Sequence, residues 1–153
     1  MTVKYYDWSS YHANVRPNKI AIRDLSTKKD LTYFELEQRS NKLAAWLQSS
    51  GLNKKDRVAI LSHNCPEFFE VEFACAKTGA IELPLNWRLA KPELQYILND
   101  STPYVLIYDS MFSDIALELK KECSIEKSLC IDNENPLSQY ESALQESDGN
   151  FKS

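Results

Sequence analysis

Short apolar runs alternate along the chain with longer segments that carry apolar residues at helical spacing. Leu94, Ile97 and Leu98, for example, recur three and four positions apart, a spacing that predicts an amphipathic helix. Strands of about five residues that alternate with helices of about ten or more favour βαβ units. We therefore expect an α/β fold with a layered, open and mostly parallel sheet. Four apolar runs predict its strands: residues 57–61, 81–85, 104–108 and 129–131.

The first part of the chain has a different pattern, in which two β-prone pieces flank a charged turn. The pieces are residues 20–22 and 31–33, and together they predict a short N-terminal β-hairpin. Thr32 and Glu35 match a capping box, because the threonine hydroxyl can accept from the Glu35 amide while the Glu35 carboxylate reaches back. We expect a helix to begin there and to end at Gly51.

A further helix is predicted directly after the strand at 57–61. Asn64 is expected to cap it, and Pro66 suits its first turn. Three phenylalanines help to make this helix apolar over most of its circumference, so we expect it to be buried: Phe68, Phe69 and Phe73.

Length and the polar C-terminal residues set the expected domain boundary. A chain of 153 residues is the size of one domain, and we assign residues 1–145 to it. Residues 146–153 form a polar tail with neither cap nor anchor. Such a tail resembles an artificial end of the chain more than a natural terminus.

Composition and charge narrow the class of protein. The net charge is −4 and the pI is near 5.2, whereas nucleic-acid binding needs a basic face; we expect no nucleic-acid partner. No apolar run has the length of a membrane span and none resembles a signal peptide, so we expect no transmembrane segment and a cytoplasmic location. The four cysteines include no C-x-x-C pair, which favours free, buried thiols in a reducing compartment.

The chain contains none of the common catalytic motifs. Its three glycines cannot form a Gly-rich phosphate loop or a dinucleotide fingerprint, and no serine lies in a G-x-S-x-G elbow. The two histidines lack carboxylates at helical spacing, so we expect no metal site. His12 is expected to pack against or cap the first helix. We therefore expect no catalytic residue in this chain.

Two positions lie where open α/β sheets place their ligands, just past the carboxyl end of a strand. His63 follows the strand at 57–61, and we favour a loop role for it over a ligand role. Arg88 follows the strand at 81–85, beside Trp87. It is either solvated or a phosphate contact, for which the fork of guanidinium donors is suited.

Four blocks of sequence occur in a defined order. The first is LTYFEL at residues 31–36, followed by RSN at 39–41. The second is DRVAI at 56–60, the third runs from AKTGA to PLN over 76–86, and the fourth joins ILNDS to VLI over 97–107. In this order they resemble the opening of the acyl-activating, AMP-forming superfamily, which includes acyl-CoA synthetases, luciferases and peptide-synthetase adenylation domains. The resemblance extends from about residue 8 to residue 131.

The turn after the third block points to one branch of that superfamily. Peptide-synthetase adenylation domains usually continue with aspartate and a YPxxR turn, whereas this chain has NWRL at 86–89, as fatty acid–CoA and aryl acid–CoA ligases do. In those ligases the arginine can contact the nucleotide phosphate of CoA. The resemblance therefore implies that Arg88 is a CoA-binding residue. A ligase that uses a carrier-protein thiol as acceptor is the alternative within the superfamily.

The resemblance also implies an activity for the parent protein. It would join a carboxylic acid, with a fatty acid favoured, to CoA in two steps that use ATP and Mg²⁺. In the superfamily the phosphate loop, adenine pocket, ribose-binding aspartate and catalytic lysine lie downstream of these blocks. Residues 1–145 would then be a partial N-terminal subdomain that is inactive alone, binds no cofactor tightly and self-associates through uncovered apolar faces. A stand-alone, non-enzymatic α/β binding module is the alternative from another class.

Overall fold

The computed structural model describes residues 7–152, in which helices and strands alternate after an N-terminal helix and hairpin. Ser110–Phe112 forms a 3₁₀ turn. The helices and strands, in chain order, are α1 Trp8–Val15, β1 Ile20–Asp24, β2 Lys29–Thr32, α2 Tyr33–Ser49, β3 Arg57–Leu61, α3 Pro66–Thr78, β4 Ile81–Pro84, α4 Lys91–Ser101, β5 Val105–Asp109, α5 Ser113–Glu122, β6 Lys127–Ile131 and α6 Gln139–Glu146.

Within the described residues, the main sheet has four parallel strands in the order β4-β3-β5-β6. Strands β1 and β2 pair separately as an antiparallel hairpin. Two successive parallel strands must be joined by a crossover connection. Helix α3 joins β3 to β4, α4 joins β4 to β5, and α5 joins β5 to β6. The predicted α/β class, the mostly parallel sheet and the N-terminal hairpin are confirmed.

Successive side chains of the central strands enter two different hydrophobic cores, because side chains of a strand alternate between its faces. Val58 and Ile60 pack with α2, α3 and α6 on one face. Ala59 and Leu61 pack with α4 and α5 on the other. All four residues belong to β3 and are fully buried, which explains why the sequence of β3 is a continuous apolar run.

Helix α2 begins and ends where the sequence predicts. Thr32 Oγ1 accepts from the Glu35 amide at 3.2 Å, and Glu35 Oε2 accepts from the Thr32 amide at 2.8 Å, so the capping box is confirmed. After the helix, Gly51 has φ +105°, and a Cβ there would lie 2.8 Å from the hydroxyl of Tyr104. That hydroxyl donates to the carbonyl of Ser50 at 2.7 Å, so the turn is tied to the start of β5.

The prediction that Asn64 caps helix α3 is wrong. The N-cap is Cys65, whose side chain makes no capping hydrogen bond, and Asn64 is exposed. The first helical residue is Pro66, which has no N–H to be capped. One donor fewer therefore needs a partner at this end.

The buried face of α3 is also not the one expected from its phenylalanines. Phe69 is 46% exposed, whereas Glu70 and Lys77 are almost completely buried. The charged side chains can turn inward because α2 offers them partners: Arg39 Nε lies 2.6 Å from Glu70, and Lys77 Nζ lies 2.9 Å from Glu37. Apolar periodicity alone carries no information about such pairing.

The C-terminal tail is anchored, contrary to expectation. The backbone N–H of Lys152 donates to Gln48 Oε1 at 2.8 Å, and the Gln48 amide donates back to the Lys152 carbonyl. Phe151 packs against the core that α2 and α3 share. One apolar residue and one side-chain amide thus join this otherwise polar segment to the rest of the domain.

Candidate functional site

Three loops meet at the carboxyl edge of the sheet, and each contributes one ring to a cluster. His63 follows β3, Trp87 follows β4, and Phe112 follows β5. The His63 and Trp87 rings meet edge to face with centroids 4.2 Å apart, and His63 meets Phe112 at 5.4 Å. All three rings are half-buried. They form what we call the edge cluster, defined as His63, Trp87 and Phe112.

Arg88 is exposed and lies against this cluster. Its guanidinium carbon is 4.1 Å from the centroid of the Trp87 ring, a distance at which a cation and an aromatic face attract one another. The backbone N–H of Arg88 donates to Asn86 Oδ1 at 3.1 Å, which shapes the turn. Among residues 7–152 the guanidinium has no ion pair or side-chain hydrogen bond. Its five donors are therefore available to an anion.

The structure brings together only some of the residues singled out from the sequence. His63 and Arg88 lie at the same edge, both in contact with Trp87. His12 lies elsewhere, within α1, and its ring is 4.8 Å from that of Tyr33 at the start of α2. It therefore packs against α2, the first helix that the sequence predicts. Asn64 lines a groove beside β1 and β4 and does not join the cluster.

Phe112 is the member of the cluster that the sequence did not reveal. Its spacing with Ile115 and Leu119 suggests one apolar helix face. The structure instead places it in the 3₁₀ turn before α5, where it reaches the loop after β3. Its position three residues past a strand end is the signal that could have marked it.

A second candidate region is a cavity of about 470 Å³ among the hairpin, α2, α3 and α6. Its walls include the buried carboxylates Glu67 and Glu70. Arg39 bridges Glu70 and Glu141, and the Tyr140 hydroxyl donates to Glu70 at 2.8 Å. Burial raises the pKa of Glu70, against the opposing effect of Arg39. These contacts fasten α6 to α2 and α3, so the region is an internal brace.

Cys65 stands at the N-terminus of α3, a position that often lowers a thiol pKa and so favours a nucleophile. Here burial, with a smaller contribution from the charge of Glu67, raises the pKa of Cys65 to about 12. The thiol is therefore protonated at neutral pH. Among residues 7–152, no three metal-binding side chains lie close enough together to hold a metal ion.

The fold and its edge define a class: an α/β domain whose sheet presents an arginine and aromatic rings at the edge where such sheets bind ligands. Comparison with known proteins gives the family. Residues 10–152 match the AMP-binding enzyme family, and the chain belongs to it. The resemblance carried by the four sequence blocks is thereby confirmed.

Individual relatives are acid-activating ligases by name. The chain is 42% identical over 106 residues to an indoleacetate–CoA ligase from Aromatoleum aromaticum, covering 69% of this chain and 20% of that protein. It is 37% identical over 107 residues to the fatty acid–[acyl-carrier-protein] ligase ScoC from Streptomyces coeruleorubidus, covering 70% and 20%. The chain thus spans about a fifth of the length of these curated relatives.

The fold agrees with a solved structure from the same group. The inhibitor-bound N-terminal domain of FACL13 from Mycobacterium tuberculosis superposes with a TM-score of 0.83 at 27% identity, covering 99% of this chain and 38% of that one. No helix between residues 7 and 152 is both long and apolar enough to cross a membrane.

Proposed function

We propose that the whole protein that carries this chain is an ATP-dependent, AMP-forming acid–CoA ligase, and that this chain supplies part of its N-terminal subdomain. The observation that carries the proposal is Arg88, whose guanidinium has no charged partner among the described residues and lies at the ligand edge of the sheet. Its turn, NWRL, is of the kind found in acid–CoA ligases. Family membership supports the reaction class.

The proposed reaction has two steps. A carboxylate oxygen of the acid attacks the α-phosphorus of ATP, and the bond to pyrophosphate breaks to leave an acyl-adenylate. The CoA sulfur then attacks the acyl carbonyl carbon, and AMP leaves. Bound Mg²⁺ would offset the charge of the phosphates. Arg88 contributes binding to the second step, because a guanidinium beside the nucleotide phosphate of CoA would hold the thiol carrier in place.

We propose a fatty acid as the substrate and CoA as the acceptor. The NWRL turn supports CoA. A carrier-protein thiol is the second candidate, which the name of ScoC favours, and the indoleacetate ligase makes an aromatic acid a further candidate for the acid. We also propose ATP and Mg²⁺ as requirements of the whole protein and the cytoplasm as its location.

For this chain alone we propose no catalysis, no tight binding of these cofactors, and self-association. The proposed absence of catalysis is supported by the sequence, which contains no Gly-rich phosphate loop. Self-association is supported by apolar side chains around β1, α3 and β4: Leu25 is 82% exposed, Phe69 46% and Ile81 49%. If the whole protein proves inactive with every acid, the stand-alone binding module becomes the better account.

The test compares the whole protein with the 153-residue chain. Each is supplied with ATP, Mg²⁺ and a panel of fatty and aromatic acids, with either CoA or an acyl carrier protein. The expected result is release of pyrophosphate and AMP and formation of a fatty acyl-CoA by the whole protein, and none by the chain. Acyl transfer to the carrier protein alone would overturn the CoA assignment, and pyrophosphate release by the chain would overturn its inactivity.

A further inference from the structure

The indole of Trp87 is contacted from two directions by side chains of different character. The Arg88 guanidinium lies over the ring, 4.1 Å from its centroid. His63 meets the same indole at 4.2 Å with an interplanar angle of 79°. Phe112 is more distant, at 6.4 Å. Trp87 therefore stands between the arginine and the histidine, with His63 as its nearer aromatic contact.

The Trp87 indole is the side chain on which the Arg88 guanidinium lies. Among the described residues, no carboxylate or carbonyl fixes the exposed side chain. A long side chain held only by solvent samples many rotamers, and ordering it on binding costs affinity. Resting on a fixed aromatic face removes part of that cost, provided that the aromatic face itself does not move.

His63 is well placed to keep the indole from moving. It follows Ser62, which comes directly after β3. Strand β3 is an interior strand of the described sheet, and the last four residues of this strand are buried. Its ring contacts both Trp87, at 4.2 Å, and Phe112, at 5.4 Å. Without it, the remaining aromatic neighbour of the indole would be Phe112 at 6.4 Å, near the outer limit for such pairs.

We propose that His63 is a positioning residue for Arg88: through the Trp87 ring it orders the guanidinium for the nucleotide phosphate of CoA. The imidazole acts by its shape, as a rigid ring against the indole, and donates no bond to the ligand. This inference rests on the proposed function, because it assumes that Arg88 binds CoA. It adds a residue outside the NWRL turn, supplied by the loop after a different strand.

The inference is tested in the whole enzyme by the KM for CoA, with the KM for ATP as an internal control. His63→Ala should raise the KM for CoA about threefold to tenfold, the range expected from loss of one aromatic contact, and leave that for ATP unchanged. His63→Phe, which keeps a ring but no ring nitrogen, should remain near the wild-type value. If His63→Phe is as impaired as His63→Ala, a nitrogen contact is required and the inference is wrong.

A double-mutant cycle separates positioning from a general loss of stability. If His63 acts through Arg88, then His63→Ala should have no further effect on the KM for CoA once Arg88→Ala is present. Additive effects would show that His63 acts independently of the arginine. On the chain itself, the NMR signal of the Arg88 Nε–H should broaden or shift in His63→Ala and be retained in His63→Phe.

The two possible failures are distinguishable. If Arg88→Ala leaves the KM for CoA unchanged, the CoA-binding role of Arg88 fails, and the proposed function loses its main support. If Arg88→Ala raises it while His63→Ala does not, only the positioning role fails.

Discussion

Glu82 offers a sharp test of the packing between the hairpin, α3 and β4. Its side chain lines the groove that these elements form, and its Oε1 atom is buried with no hydrogen-bond partner among residues 7–152. Burial, with a smaller contribution from the charge of nearby Glu72, raises the pKa of Glu82 from its ordinary 4.5 to about 7. Between about pH 4.5 and about pH 7, the Glu82 carboxyl therefore keeps its proton in the folded state, whereas it has released this proton in the unfolded chain.

The sign of the effect follows from this difference. A carboxyl whose pKa is raised by folding favours the folded state while it is protonated, and that advantage is lost as the pH rises from about 4.5 to about 7. A pKa difference of about 2.5 corresponds to at most about 3.4 kcal/mol. Because Glu82 is only half-buried, water screens part of this cost, and we expect about 1–2 kcal/mol.

Glu82→Gln removes the titration while keeping the shape of the side chain. We expect the free energy of unfolding of the variant, relative to wild type, to increase by about 1–2 kcal/mol between about pH 5 and about pH 8. Urea unfolding followed by circular dichroism at these two pH values measures it. Glu126→Gln makes the same change at an exposed position and should show no such dependence. A difference that is independent of pH would show that the Glu82 carboxyl is hydrated and that the groove is not packed as described.

Three further predictions concern stability and association. Arg39→Leu leaves the carboxylate of Glu70, which is 1% exposed, without its cation and should lower the free energy of unfolding by about 3–5 kcal/mol, measured by urea unfolding. Gly51→Ala places a Cβ at φ +105° and 2.8 Å from the Tyr104 hydroxyl, so a loss of about 1–3 kcal/mol is expected in the same assay. Light scattering should detect oligomers of the chain at high concentration and fewer for Leu25→Asp, because Leu25 is 82% exposed; a monomeric wild-type chain at all concentrations would contradict this.

The elements that could be predicted from the sequence are those whose stability depends on local contacts. The capping box of Thr32 and Glu35 lies within one helical turn, so its residues specify it directly. Helices cover both faces of β3, and its continuous apolar run predicts this burial. The run does not indicate which helices cover the strand. Hence the α/β class and the order of the elements that follow α1 could be predicted from periodicity, whereas α1 itself was not predicted.

The features that the sequence did not reveal depend on partners far along the chain. Glu70 turns inward because Arg39 meets it from α2 and Tyr140 from α6, and no spacing rule reports such a pairing. The tail is held by Gln48, a residue that looks like any solvated glutamine on a helix. Phe112 likewise joins His63 only because β3 and β5 are neighbours in the sheet.

The candidate site was accessible from the sequence only in part. The rule that loops after parallel strands meet at one edge located both His63 and Arg88. It could not show that Trp87 contacts them both, since the distances of 4.2 Å and 4.1 Å depend on the exact paths of two loops. The role proposed for Arg88 rests on the resemblance of its turn to those of acid–CoA ligases. The geometry adds that its guanidinium has no charged partner among residues 7–152.

One comparison tests most directly whether Arg88 binds a phosphate of CoA in an acid–CoA ligase. In the whole enzyme, the KM for CoA and the KM for pantetheine, which has the thiol arm but no nucleotide phosphate, are measured for wild type and Arg88→Ala. We predict that the substitution raises the KM for CoA about tenfold, as expected for one charge-assisted contact at an exposed site. The KM for pantetheine should be unchanged. An equal effect on both substrates, or no effect on CoA, would contradict it.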